Sequence, residues 1–197
     1  MRINLPNALT LFRMALLPVM VVVFYAPIRG AGLLAALVFL LAGITDWLDG
    51  WLARRFNQMS AFGAFLDPVA DKLMVAVTLF LLVQAHPTVL LTITAAIIVG
   101  REIAVSALRE WMAFVGEHAR VSVMWIGKIK TVMQIIALLV LLAQHDAPVL
   151  RGYHVGEALL VVAAVLTLWS GFAYLRAAWP VLGVEPRPRR DSDVPPA

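Results

Sequence analysis

No cysteine occurs among the 197 residues, which excludes disulfides, zinc–thiolate sites and thiol catalysis and leaves the redox compartment open. Charge is scarce as well. Asp, Glu, Lys and Arg make up 14% of the chain, against about 25% in a soluble domain. No segment repeats another. The opening MRINLPNALTLFRMALLP has an apolar run but no small-residue cleavage site after it, so it is expected to be retained.

Apolar sequence takes up the space. The chain is 62% hydrophobic with a mean hydropathy of +0.88, where about 45–50% apolar is usual for a soluble domain. This composition predicts an all-α polytopic membrane protein. With spans of about 20 residues, five or six helices exhaust the length and leave no room for a separate soluble domain. The apolar runs cover residues 8–25, 31–55, 61–86, 88–114, 121–143 and 155–177, broken by turn signals such as Ala26-Pro27, His86-Pro87 and Arg151-Gly152. Six transmembrane helices are therefore expected over residues 1–182. The Pro/Arg-rich stretch 183–197 is expected to be a disordered cytoplasmic tail.

Several uncharged cores are too short to span a bilayer unless the helix includes charged residues at one end. Those ends must face a polar cavity, because charge facing lipid at that depth is unfavourable. Arg13, Asp46, Arg54, Asp67, Lys72, Arg101, Arg109, Lys128 and Lys130 all fall on one side of the membrane in a six-span arrangement. The Lys/Arg bias assigns that side, and both termini, to the cytoplasm. The pI near 10.0 then reflects topology and anionic lipid rather than nucleic acid.

Asp46, Asp49, Asp67 and Asp71 are the most informative residues. On helices, each pair lies one turn apart on one face. Two helices joined by a short turn would present all four carboxylates to one pocket, an oxygen-only donor set that suits Mg²⁺, Mn²⁺ or Ca²⁺. After Asp46 and Asp49, the same stripe carries Gly50, Ala53 and Arg54. Two carboxylates, two small residues and a guanidinium suit a metal-bound pyrophosphate whose nucleotide approaches the backbone. Gly63 opens the second helix, where close packing favours a missing side chain. The competing reading makes these charges interfacial salt bridges, which fits one aspartate better than four.

The segment resembles the signature of the CDP-alcohol phosphatidyltransferases, D-x-x-D-G-x-x-A-R-x(8)-G-x-x-x-D-x-x-x-D, at every fixed position from Asp46 to Asp71. The likeness extends to N-L-P-N-A-L-T-L-F-R near the start, R-E-I-A-V-S-A-L-R-E-W from Arg101 and W-I-G-K-I-K-T from Trp125. These segments are similar to the bacterial members that use glycerol 3-phosphate as acceptor. The resemblance implies a six-helix homodimer of the inner membrane with a di-metal site at the cytoplasmic surface. Asp46, Asp49, Asp67 and Asp71 would bind two Mg²⁺ or Mn²⁺ ions, and Asp71 would also serve as general base. Asn7, Thr10, Gly50, Ala53 and Arg54 would contact CDP-diacylglycerol. The phosphatidyl group would pass to glycerol 3-phosphate, with release of CMP.

An anionic acceptor approaching an anionic donor needs concentrated positive charge, for which Arg101, Arg109, Lys128 and Lys130 are the candidates. Each residue alone reads equally well as a topology determinant. His86, His118, His145 and His154 sit at turns and are expected to be solvated. Trp111, Trp125, Trp169 and Trp179 fit an interfacial belt. Two alternatives stand beside the leading one: a synthase of the same family using serine, inositol phosphate or phosphatidylglycerol, and a cation transporter. The lack of repeats and the carboxylates' place toward helix ends argue against transport.

Overall fold

A computed structural model describes residues 5–56, 61–115, 125–146 and 150–179. Every regular element among them is a helix, six in all: α1 (Leu5–Phe24), α2 (Ala31–Phe56), α3 (Ala61–Ala85), α4 (Val89–Val115), α5 (Trp125–Ala143) and α6 (Leu150–Ala178). The 183–197 tail and His118 lie outside the described residues. Among the described residues α1, α2, α4 and α6 are long and apolar enough to cross a membrane, and α5 has a shorter apolar segment, Ile129–Ala143. The outward faces are apolar too. Leu37, Phe80, Ile93, Ile103 and Phe172 are all exposed, an exterior that would aggregate in water but is matched to lipid.

The bundle divides into an apolar half and a polar half. Met20, Phe24, Ala35, Leu79, Leu82, Leu91, Ile98, Leu138, Leu141 and Leu160 are buried in a common core drawn from all six helices. The buried polar residues Asn7, Thr10, Arg13, Asp49, Lys130 and Gln134 lie toward the other end. Missing side chains let the helices close on one another. A Cβ on Gly32 of α2 would come 2.4 Å from the Leu142 carbonyl oxygen, and one on Gly156 of α6 would come 2.9 Å from Leu141 Cγ. Gly30 precedes α2 at φ 86°, a turn that glycine makes without strain. Asp146 then accepts a 2.8 Å hydrogen bond from the Gly32 N–H, satisfying one of the free donors at the start of α2.

Two expectations need correction here. Arg151-Gly152, expected in a turn, belongs to α6, which starts at Leu150 rather than near Val155. Gly152 does not break the helix, because its bare face packs on Gln144, where a Cβ would sit 3.0 Å from Cδ. His86 and His145, expected to be solvated, are half-buried. The His145 ring stacks on Phe24 with centroids 3.9 Å apart, and His86 packs edge-on against Tyr153 at 5.0 Å. The inter-helix turns are tucked under the helix ends, so imidazoles in them become packing groups. His154 is exposed on α6, 3.8 Å from Glu157.

Candidate active site

Residues 7, 10 and 13 recur at one-turn spacing along α1, so Asn7, Thr10 and Arg13 share a face, and that face is buried. It meets the aspartates. Arg13 Nη1 lies 2.7 Å from Asp46 Oδ1 and 2.5 Å from Asp71 Oδ1, while Nη2 pairs with Asp49. Thr10 donates its hydroxyl proton to Asp67 Oδ1 at 2.7 Å. Its 3.5 Å approach to Asp49 is secondary, since the hydroxyl has only one proton to give. The four carboxylates thus converge across α2 and α3, as their spacing predicts. Arg13 is 1% exposed, whereas the Asp46 and Asp71 side chains are 43% and 51% exposed. The latter two open onto a cavity.

One guanidinium among four carboxylates leaves three formal negative charges in a small volume. So much unbalanced charge in a membrane protein calls for further cations. The donor atoms are all oxygen, two of the carboxylates face open space, and the set fits hard divalent ions.

The small-residue stripe of α2 is open as well. A Cβ on Gly50 would have within 4 Å only the Arg54 guanidinium, nearest at Nη1, 3.4 Å away. Among the described residues no other helix presses on Gly50, so packing among them does not account for the glycine. Arg54 is exposed beside it. Ala53 lies on the same helix, its side chain outside the described residues. Gly63 is buried near the start of α3.

The cavity, about 580 Å³, runs from Arg13, Asp46 and Asp71 to Lys72, Arg101 and Arg109. Of the predicted basic cluster, Arg101 and Arg109 line it. Lys130 is buried, 6% exposed, and is not among the lining residues. The Lys128 side chain lies outside the described residues. Arg101 Nη2 donates to Ser170 Oγ at 2.8 Å, and that hydroxyl donates to the Thr167 carbonyl at 3.0 Å. With its proton committed, Ser170 presents lone pairs to Arg101 and fixes the guanidinium from α6. Arg109 is set over the Tyr174 ring, 5.7 Å from its centroid. Lys72 adds a cation and hydrogen-bonds Ser106. Arg13 and Lys72 were expected to face the polar cavity, and they do, but the sequence assigned no role in the site to them or to Ser170. The one-turn spacing of Asn7, Thr10 and Arg13 was an available signal. Nothing in the sequence pairs Ser170 with Arg101, 69 residues away.

Residues 3–169 match the CDP-alcohol phosphatidyltransferase family, and the chain belongs to it. It is an integral membrane protein of a divalent-cation-dependent family. The protein named CDP-diacylglycerol–glycerol-3-phosphate 3-phosphatidyltransferase in Pectobacterium atrosepticum is 52% identical over 178 residues, covering 90% of this chain and 96% of the relative. Relatives of the same name in Sodalis glossinidius (52%) and Shigella flexneri (51%) align over the same shares of both chains.

Proposed function

We propose that this chain transfers the phosphatidyl group of CDP-diacylglycerol to sn-glycerol 3-phosphate, giving phosphatidylglycerophosphate and CMP. The observation that carries the reading is the near-full-length identity to relatives of that name. The geometry agrees with it: one cavity joins a carboxylate cluster to a basic wall, as a reaction between two anionic substrates requires. Asp46, Asp49, Asp67 and Asp71 would hold two Mg²⁺ or Mn²⁺ ions. When bound, these supply Lewis-acid neutralisation of the donor's pyrophosphate and of the departing CMP. Gly50 and Ala53 admit the cytidine nucleotide to the face of α2, with Arg54, Asn7 and Thr10 as its polar contacts.

Arg101 and Arg109, together with Lys128 and Lys130, attract and orient the phosphate of the acceptor. Its terminal hydroxyl oxygen bonds to the phosphatidyl phosphorus as the bond from that phosphorus to the CMP oxygen breaks. Asp71 takes the hydroxyl proton, and the electron pair of the broken bond leaves with CMP. A carboxylate is a weak base, so orientation of the hydroxyl is as much its contribution as proton affinity. Arg13, whose two Nη atoms pair with Asp46, Asp49 and Asp71, holds their geometry. The Lys/Arg bias assigns the site and both termini to the cytoplasmic side of the inner membrane, and the working unit is a homodimer.

A panel of acceptors offered to the purified protein with CDP-diacylglycerol and Mg²⁺ or Mn²⁺, with lipid products identified by mass, tests the reading. Phosphatidylglycerophosphate is the expected product. Exclusive use of serine or inositol phosphate would overturn the acceptor while keeping the reaction class. Failure to release CMP with any acceptor would overturn both.

A further inference from the structure

We infer that Gly43 belongs to the donor site: it keeps open a cleft between α2 and α5 through which the donor's acyl chains leave the catalytic cavity for the bilayer. The inference rests on the reading of CDP-diacylglycerol as donor. Near the start of α2, Gly32 is pressed against the Leu142 carbonyl oxygen and His145 Cβ, at and just beyond the end of α5. About three turns further along the same face of α2 stands Gly43. A Cβ there would meet nothing within 4 Å among the described residues. The two helices therefore part toward the aspartates. Glycine inside a helix is less stable than alanine, and no described neighbour gives Gly43 a packing reason. The cavity fills the gap, with Leu40, Gly43 and Ile44 of α2 and Ile135 of α5 among its walls. Leu40 and Ile44 also continue the exposed stripe of Leu33 and Leu37. The cavity thus opens onto the lipid-facing side of α2.

The chemistry of the donor calls for such an opening. Its pyrophosphate must reach Asp46 and Asp71 inside the bundle, while its two acyl chains are most stable in hydrocarbon. Asp46 follows Gly43 by about one turn, so chains leaving a headgroup bound there meet the cleft at once. The seam between α4 and α6 is barred. There Arg101 stands between the cavity and an apolar groove lined by Ala104, Trp111 and Phe172. Ser170 holds its guanidinium, and a Cβ on Gly171 would come 3.2 Å from its Cγ.

The absence of cysteine from the chain gives a direct test. Gly43→Cys and, as a control on the other seam, Ala104→Cys are labelled with N-ethylmaleimide in the purified protein with Mg²⁺. CDP-dioleoylglycerol at about ten times its KM should slow labelling of Gly43→Cys about tenfold by occupancy. Cytidine diphosphate, which has no chains, should not slow it, and the lipid should not slow labelling of Ala104→Cys. Failure of Gly43→Cys to react would mean a closed cleft and overturn the inference. So would equal protection by the nucleotide and the lipid, or protection of Ala104→Cys in place of Gly43→Cys. Gly43→Leu gives an independent measurement. Filling the cleft should raise the KM for CDP-dioleoylglycerol by about five- to 150-fold and leave the KM for glycerol 3-phosphate unmoved. An unchanged donor KM in a variant that melts like the wild type also overturns the inference. A wild type that releases no CMP from CDP-dioleoylglycerol would sink the donor assignment, and the inference with it; release of CMP with Gly43→Cys unprotected would sink the inference alone.

Discussion

Arg13 of α1 and Asp49 of α2 form an ion pair in which the side chains are 1% and 4% exposed. Removing one member of such a pair leaves an uncompensated buried charge, at a cost of roughly 3–5 kcal/mol. Arg13→Met should therefore lower the thermal unfolding temperature in detergent, measured without divalent ions. Mg²⁺ or Mn²⁺ should then raise the stability of Arg13→Met more than that of the wild type, because Asp46, Asp49 and Asp71 have lost their internal cation. Equal gains in the two proteins would show that Arg13 does not compensate the cation-binding carboxylates.

Asp46→Asn, Asp49→Asn and Asp67→Asn should each nearly abolish CMP release, since each removes a charged ligand from the proposed metal site. Excess metal is expected to rescue one of them in part. Near-wild-type rates in two of the three at ordinary metal levels would rule out the di-metal reading.

Gly50→Leu should block donor binding and leave the fold intact. A leucine suits a membrane helix, and among the described residues its Cβ would meet only the flexible end of Arg54, so the described bundle has no reason to shift. It would, however, fill the face offered to the nucleotide. Binding of CDP-diacylglycerol to the purified variant, alongside its melting curve, checks both halves. Normal binding by a well-folded variant would remove the nucleotide from this face.

The aspartate site was legible because helical spacing alone brings each carboxylate pair to one face, and the helix count followed from apolar runs broken by turn residues. Arg13 was not legible as a site residue. A lone basic residue in an apolar helix reads as a topology determinant, and its role appears only when Asp46, Asp49 and Asp71 arrive from two other helices. The same holds for Ser170, whose partner is set by how α6 lies against α4. His86 and His145 were misread because turn residues usually meet water, and only packing against Phe24 and Tyr153 makes them interior. Gly152 was read as a breaker although a glycine facing a neighbouring helix is a contact point.

The pH dependence of stability should carry the mark of His86. Burial, and secondarily the neighbouring His145, hold its pKa below the ordinary value of 6.5. The folded state then binds fewer protons than the unfolded state as pH falls below about 6.5, so His86 lends stability above that pH and loses it through the depressed folded value. Melting temperatures of wild type and His86→Phe should diverge across this range, with the wild type falling more steeply on acidification. Parallel curves would mean that His86 does not change its proton affinity on folding.

Arg101 and Ser170 give the last prediction, which separates binding of the acceptor from everything else. Arg101→Gln removes a charge-assisted hydrogen bond worth roughly 1.5–3 kcal/mol, so the KM for glycerol 3-phosphate should rise by about tenfold to over a hundredfold. The KM for CDP-diacylglycerol should hardly move, because in the proposed reading the donor is held by metal, Arg54 and its lipid tails. Lys128→Gln should act in the same direction. Ser170→Ala leaves the charge in place but frees the guanidinium from its anchor on α6, so it should raise the acceptor KM less than Arg101→Gln does. Ser170→Thr keeps the hydroxyl and should restore most of the loss. An acceptor KM untouched in both Arg101→Gln and Lys128→Gln would move the phosphate pocket elsewhere. A defect in Ser170→Ala that appears in kcat or in the donor KM instead would assign Ser170 to packing between α4 and α6 rather than to Arg101.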